Sequence, residues 1–406
     1  MEKKTTKKKP WLRFRHRLLG YVGRPILRVI IRFRYGLKVR RFRDGNRRNY
    51  LVLMNHQTAF DQFFAALAFH KYSYFVASED LFSMGWLSRA LSYLVAPIPI
   101  RKSMTDVRAV MTCKRVAREG GTIVIAPEGN RTYDGTLCYV KPSITGLVRA
   151  LHLPVALFRI EGGYGMHPRW SDVIRRGKMT AGVVRVIEAE EYEALSDDEL
   201  FAIITGELAS DEYATGRTFR HKKAAEYLER ALYYCPQCGI TNLVSHGKTI
   251  TCPRCGLTAT YEPDLTLRGV GGDFPYRTVA EWYAAQSAYI GALDLAPYAD
   301  TPLTSDVVTL SEVIPYDRKR PLSPEVLLSV YADRYELVGR GLSLTVPFSE
   351  LQATCVLGRN KLNLYRGESI LQIKGSSRFN AVKYMNVFYR AKYQKEGITD
   401  AKLLGI

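Results

Sequence analysis

Between residues 50 and 209, short apolar, β-prone runs alternate with stretches of helical length, and no other feature narrows the fold as far. Runs at 50–54, 72–77, 95–100, 122–125, 154–160 and 179–186 read as strands, and 61–69, 81–94 and 105–119 as helices. This alternation predicts an α/β domain around a mixed sheet flanked by helices. A further strand is expected at 36–43, meeting the 50–54 strand at the turn Asp44-Gly45-Asn46.

Two of these strands run into residues able to do chemistry. The first continues as Asn55-His56-Gln57-Thr58-Ala59-Phe60-Asp61. Thr58, three residues before Asp61, reads as a capping pair opening the next helix. Five positions along one helix would hold His56 and Asp61 about 140° apart. In a turn, the ring can fold back onto the carboxylate. The Asp then fixes the tautomer, and the other ring nitrogen can take a proton from a hydroxyl. The strand at 122–125 leads into Ala126-Pro127-Glu128-Gly129-Asn130-Arg131-Thr132. Gly129 frees the backbone to approach a ligand closely, and Arg131 offers a planar fork of donors suited to phosphate. Glu128 is placed to orient Arg131 or to contact an acceptor. Taken alone, the residues also fit a turn histidine beside a capping aspartate, and a surface Glu–Arg pair.

Asn-His-x4-Asp followed by Pro-Glu-Gly-x-Arg-Thr, with 72 positions from His56 to Glu128, resembles the glycerolipid acyltransferases of the lysophosphatidate acyltransferase (PlsC-like) family. The likeness covers roughly residues 11–190. It implies His56 as general base, Asp61 as its orienting partner, and Glu128, Gly129 and Arg131 as acceptor-binding residues. By the same resemblance Arg101 and Lys141 are further candidates for holding the acceptor phosphate. The chain departs from the family pattern at Val95, Ile100, Asn130, Ser143 and Leu157. The implied reaction moves an acyl group from a thioester, acyl-CoA or acyl carrier protein, to the free hydroxyl of a lysophospholipid. 1-Acylglycerol 3-phosphate is the first acceptor implied, giving phosphatidic acid, with no metal or organic cofactor in the chemistry. Another acceptor, or transacylation between phospholipids, satisfies the same residues. A reading from a different class makes the chain a non-catalytic, membrane-tethered binding protein.

The net charge of +20 is concentrated at one end: residues 1–50 hold 18 Lys/Arg against Glu2 and Asp44. A field so local points to an anionic partner. From Trp11 to Phe33 apolar residues recur at helical spacing with Arg13, Arg17, Arg24, Arg28 and Arg32 between them, and Gly20, Gly23 and Pro25 interrupt the run. Two short amphipathic helices lying in a membrane interface are expected over 1–48, with an anionic membrane surface as partner. No apolar run reaches 18 residues and no secretory leader is evident, so the expected location is the cytoplasmic face of a membrane. The basic residues interleave with no recognised nucleic-acid fold, and no nucleic-acid partner is expected.

The catalytic domain is expected over 49–209, with a basic helical connector at 210–234. Cys235-Pro236-Gln237-Cys238-Gly239 and Cys252-Pro253-Arg254-Cys255-Gly256, 13 residues apart, have zinc-ribbon spacing over 235–258. Four thiolates close a tetrahedral shell, so this zinc is expected to be structural. A helix is expected at 279–293, within a linker at 259–304. Over 305–396, strands at 327–338, 342–346, 352–357, 361–365 and 370–373 precede a closing amphipathic helix, which looks like a pleckstrin-homology/GRAM-like module. Gly358-Arg359-Asn360 is read there as a hairpin turn.

Overall fold

The computed structural model describes residues 10–44, 47–100, 106–314 and 317–398. The first sheet is built from β1 (Lys38–Val39), β2 (Leu51–Met54), β3 (Ser73–Ser78), β4 (Ile98–Ile100), β5 (Thr122–Ile125), β6 (Val155–Glu161) and β7 (Thr180–Ile187), in the order β1-β7-β6-β2-β5-β3-β4. The run β6-β2-β5-β3-β4 is parallel, and β7 joins β6 antiparallel. The mixed sheet is therefore as expected. The strand expected at 36–43 shrinks to β1, which pairs with β7 at the sheet edge and does not meet β2. Burial decides this: β2 is apolar and fully buried, so it takes the centre.

Along β2 the side chains divide by the strand period of two. Val52 and Met54 enter one core with Ala156 and Phe158; Leu51 and Leu53 enter a second with Val155 and Leu157. The second core is closed by α4 (Val107–Arg118), α5 (Ile144–Leu151) and α8 (Asp197–Leu208). The first is closed by α1 (Phe14–Tyr35) and α2 (Asp61–Ala68), and it continues without a break into the rest of the chain.

The two N-terminal helices expected are one. Pro25 sits inside α1, where the carbonyl it leaves without a donor belongs to the exposed Tyr21. A Cβ on Gly20 would stand 3.0 Å from the Tyr72 ring, so this glycine serves close packing. Arg24 donates to the carbonyls of His70 and Lys71 at 2.6 Å each and so braces α1 internally. The apolar stripe carried by Phe14, Leu18, Tyr21, Val22, Ile26 and Phe33 is exposed, and only His16, Ile31 and Tyr35 of this helix are buried. The expected helix 81–94 is also divided: α3 (Trp86–Leu94) starts after Gly85 at φ +62°, and Trp86, Leu87, Tyr93 and Leu94 extend the exposed apolar surface.

The stretch 217–234, expected to be helical, has one 3-10 turn, Leu228–Arg230. It is pinned extended by Arg176–Arg220 backbone pairing and by Phe219 N–H on the Pro263 carbonyl. Phe219, Leu228, Leu232 and Tyr233 lie in the shared core, so tertiary contacts override local preference. Arg230 is almost fully buried and donates to the carbonyls of Trp170 and Ser377 and to Asp172, tying three segments together.

Four short strands from Val244 to Gly269 form a meander beside the cysteines. Helix α9 (Val279–Ala292) follows and buries Trp282, Tyr283 and Gln286. The C-terminal sheet has seven antiparallel strands, from Thr304–Val313 to Ser369–Gly375. The strand expected at 327–338 is two, Lys319–Val330 and Arg334–Gly339, reversed by a turn in which Tyr331 N–H bonds the Arg334 carbonyl. Thr304–Val313, unforeseen because its apolar alternation is interrupted, lies at the sheet centre. The closing helix Ala381–Glu396 is buried all round over 381–389, so it is a core helix there and not an amphipathic one.

Candidate active site

Parallel pairing sets Leu53 of β2 beside Ile125 of β5, so both motif loops leave the same end of adjacent central strands. Open α/β sheets place their ligand crevices at this end. The loops are then laced together. His56 N–H donates to Glu128 Oε1 at 2.6 Å, Thr132 N–H donates to the His56 carbonyl at 3.0 Å, and Glu128 Oε2 accepts Cys138 N–H at 2.7 Å. Glu128 is thus a brace for the His56 loop, and of the two roles the sequence allowed it, the bond to Arg131 is not formed among the described residues.

Asp61 opens α2 itself, with Phe60 at the N-cap position, so the helix is not capped by Thr58. The bonding runs the other way. The Asp61 carboxylate is 0% exposed and takes Gln57 N–H at 2.6 Å, Thr58 N–H at 2.9 Å and Thr58 Oγ1 at 2.6 Å. His56 Nδ1 stands 2.8 Å from Asp61 Oδ2, and the His56 side chain keeps 23% exposure. With Nδ1–H donating to the carboxylate, the Nε2 lone pair is the one able to accept a proton.

The neighbours of His56, to which no role was given from the sequence, hold this loop. Asn55 exchanges two 2.8 Å bonds with the Ile160 backbone. Gln57 accepts the N–H of Gly163 and Tyr164 and donates to Ser210 and Glu212. A Cβ on Gly163 would fall 2.6 Å from Gln57 Oε1, so glycine is required there. A polar pair at the end of a fully buried strand must find partners, which was the available signal.

Gly129 adopts φ +68° with nothing within 4 Å of a built Cβ. Its backbone conformation favours glycine, and the space beside it is open. Arg131 Nη1 is buried without a hydrogen-bond partner among the described residues. Burial and the nearby Arg169 push its guanidinium down to about 10, still charged at neutral pH. An orphan buried donor of this kind, close to the His56–Asp61 pair, is chemically able to seat an anion. Lys141 is exposed at the turn before α5, and among the described residues no hydrogen bond or ion pair joins it to this cluster. Arg101 lies outside the described residues.

Residues 36–160 match the family model described as acyltransferase. They are an acyltransferase domain. A comparison with curated proteins found no match. Among solved structures the chain is similar to the 1-acyl-sn-glycerophosphate (LPA) acyltransferase PlsC from Thermotoga maritima, at 19% identity, covering 48% of this chain and 76% of that chain, with a TM-score of 0.37. The acyltransferase domain thus contains His56, Asp61, Glu128, Gly129 and Arg131, gathered at one end of its sheet.

Away from this site, the sulfurs of Cys235, Cys238, Cys252 and Cys255 lie within 4.8 Å of one another. Cys235 Sγ and Cys255 Sγ are 3.6 Å apart, close to the roughly 3.8 Å edge of a tetrahedron with metal–sulfur bonds near 2.3 Å. The donor set fits a metal ion. Gly239 and Gly256, at φ +73° and +77°, make the turns that aim these thiols inward.

Burial pushes the Glu128 carboxyl up to about 8, against the two N–H donors that favour its charge. Its stabilising contribution is therefore full below the unfolded value of about 4.3 and is lost as pH rises through about 8. In Glu128→Gln the amide NH2 faces one of those donors, at a cost of about 1–3 kcal/mol. Melting temperatures of wild type and Glu128→Gln across this range should therefore differ most at acid pH and converge as pH rises. A wild-type advantage that grows with pH would overturn this account.

Proposed function

We propose that the acyltransferase domain moves a fatty acyl group from an acyl thioester to the free hydroxyl of a lysophospholipid bearing a phosphate, 1-acylglycerol 3-phosphate being the first candidate. The observation that carries this reading is the 2.8 Å His56–Asp61 pair beside the unpartnered buried donor of Arg131. His56 Nε2 takes the proton from the acceptor hydroxyl as its oxygen attacks the thioester carbonyl. The new ester C–O bond forms, the C–S bond breaks, and His56 returns the proton to the departing thiolate. Asp61, held by three loop donors, keeps the imidazole tautomer and stabilises the imidazolium between these steps. Arg131 holds the acceptor phosphate, so that reaction occurs from a positioned complex. Acyl-CoA and acyl carrier protein both meet the requirement for a thioester donor.

The exposed apolar stripe of α1, continued by Trp86 and Leu87 of α3, rests in a membrane interface with its arginines toward anionic headgroups. Among the described residues no helix is long and apolar enough to cross a membrane, and the surface fits an interfacial arrangement on the cytoplasmic face. The four cysteines hold a structural zinc: four thiolates fill its shell, and its role is to secure the two turns, the first of which packs on Tyr289 of α9.

Acyl transfer from labelled donor to lysophosphatidate should fall about 10²–10⁴-fold in His56→Ala, with the melting temperature retained. Equal activity in the two proteins would sink the mechanism. Phe33→Ser with Tyr21→Ser, at sites 85% and 82% exposed, should weaken sedimentation with anionic vesicles roughly tenfold or more. Unchanged sedimentation would remove α1 from the interface. Elemental analysis should find one zinc per chain, and chelation should lower the melting temperature; zinc-free protein of unchanged stability would refute the structural role.

A further inference from the structure

The hairpin joining strands Ala353–Leu357 and Lys361–Arg366 of the C-terminal sheet turns at Gly358, φ +60°, and reaches the acyltransferase domain. Asn360 braces it through the carbonyls of Gly375 and Ser376 at 3.0 and 2.9 Å. Arg169, 3% exposed, bolts it to the second motif loop: one guanidinium donates to the carbonyls of Val356, Gly358 and Arg131 at 2.7, 3.2 and 3.2 Å. Arg359 stands at the tip. Its Nη1 pairs with Asp172 at 2.9 Å, and its Nη2 lies 3.2 Å from His167 Nε2. His167 Nδ1 lies 3.4 Å from Tyr35 Oη, and the Tyr35 ring packs at 5.4 Å on Phe60, the residue before Asp61. Burial, with Arg131 and Arg359 beside it, pushes His167 down to about 4, so the ring is neutral at physiological pH. A neutral ring can accept from Arg359 at Nε2 while donating to Tyr35 from Nδ1.

We infer that Arg359 is the second arm of the acceptor's anion site, opposite Arg131, and that the C-terminal sheet thereby selects a phosphate monoester headgroup. This inference rests on the acyl-transfer reading above. A guanidinium carries five N–H donors; Asp172 and His167 orient that of Arg359 through two of its nitrogens and leave further donors for a ligand. Arg169 is spent on bracing: all three of its nitrogens already donate to carbonyls, and the residue is only 3% exposed. Arg131 adds its unpartnered buried Nη1. A phosphate monoester brings three acceptor oxygens and a charge of about −1.5 to −2 at pH 7, which two planar forks match. A phosphodiester headgroup brings one charge and two such oxygens, and gains less from the second fork.

The test is steady-state acyl transfer by the full chain, wild type and Arg359→Gln, to lysophosphatidate and to lysophosphatidylglycerol. Arg359→Gln should raise KM for lysophosphatidate about tenfold or more, leave KM for the thioester donor and kcat within about twofold, and flatten the preference for monoester over diester. Arg359→Lys, which keeps charge without the fork, should fall between the two. Unchanged KM and preference in Arg359→Gln would overturn the inference while wild-type activity stands. So would a uniform loss on both acceptors with a lowered melting temperature, the mark of a bracing role. Wild type inactive on every phosphate-bearing lysolipid would remove the acyl-transfer reading itself, and this inference with it.

Discussion

A carboxylate buried away from water must find donors for its lone pairs or lose its place in the fold. Asp61 finds them within its own turn, from Gln57 and Thr58, and one oxygen also meets His56. That economy sets the geometry of the first motif: the backbone must wrap the carboxylate, and wrapping leaves the imidazole edge at the crevice. The second motif is subject to the same demand, since Glu128 is buried and draws in the N–H groups of His56 and Cys138. Two buried acids therefore hold both loops, and the chemistry is positioned by groups that are first of all satisfying each other.

Around these loops the chain returns three times from far downstream. Ser210 and Glu212 receive Gln57, Tyr283 of α9 stacks on Tyr133 at 6.4 Å, and the 358–360 hairpin is fastened through Arg169. The continuous core running through the cysteine-rich meander, α9 and the C-terminal sheet explains why such contacts are stiff. The cysteine cluster and the last sheet are thus built into the wall of the domain. Helix α1 leaves its apolar stripe uncovered while Arg24 and Ile31 secure it from beneath.

Much of this was legible in the residues. The apolar, buried strands β2 and β6, the strand-to-helix turn at His56, the Cys-x2-Cys pairs and the 358–360 turn all follow from local patterns. Errors fell where a local rule met a stronger tertiary demand. Pro25 did not end α1, because its unmet carbonyl is on an exposed turn. Residues 217–234 did not become helical, because their side chains were needed in a core already formed by others. Of the two roles open to Glu128, the bond to Arg131 did not form, because two backbone donors lay closer to hand.

The sequence by itself determined the α/β class, the candidate base and its carboxylate, the arginine of the second motif and the two cysteine pairs able to hold a metal ion. Each of these is written in spacings of a few residues, within reach of local geometry. Only the tertiary structure decided that Glu128 braces, that His167 is held neutral, and that Arg359 comes within bonding distance of His167. Arg359 and His167 are 192 positions apart along the chain, and no periodicity spans such a gap. Their meeting follows from the packing of two sheets through one buried arginine.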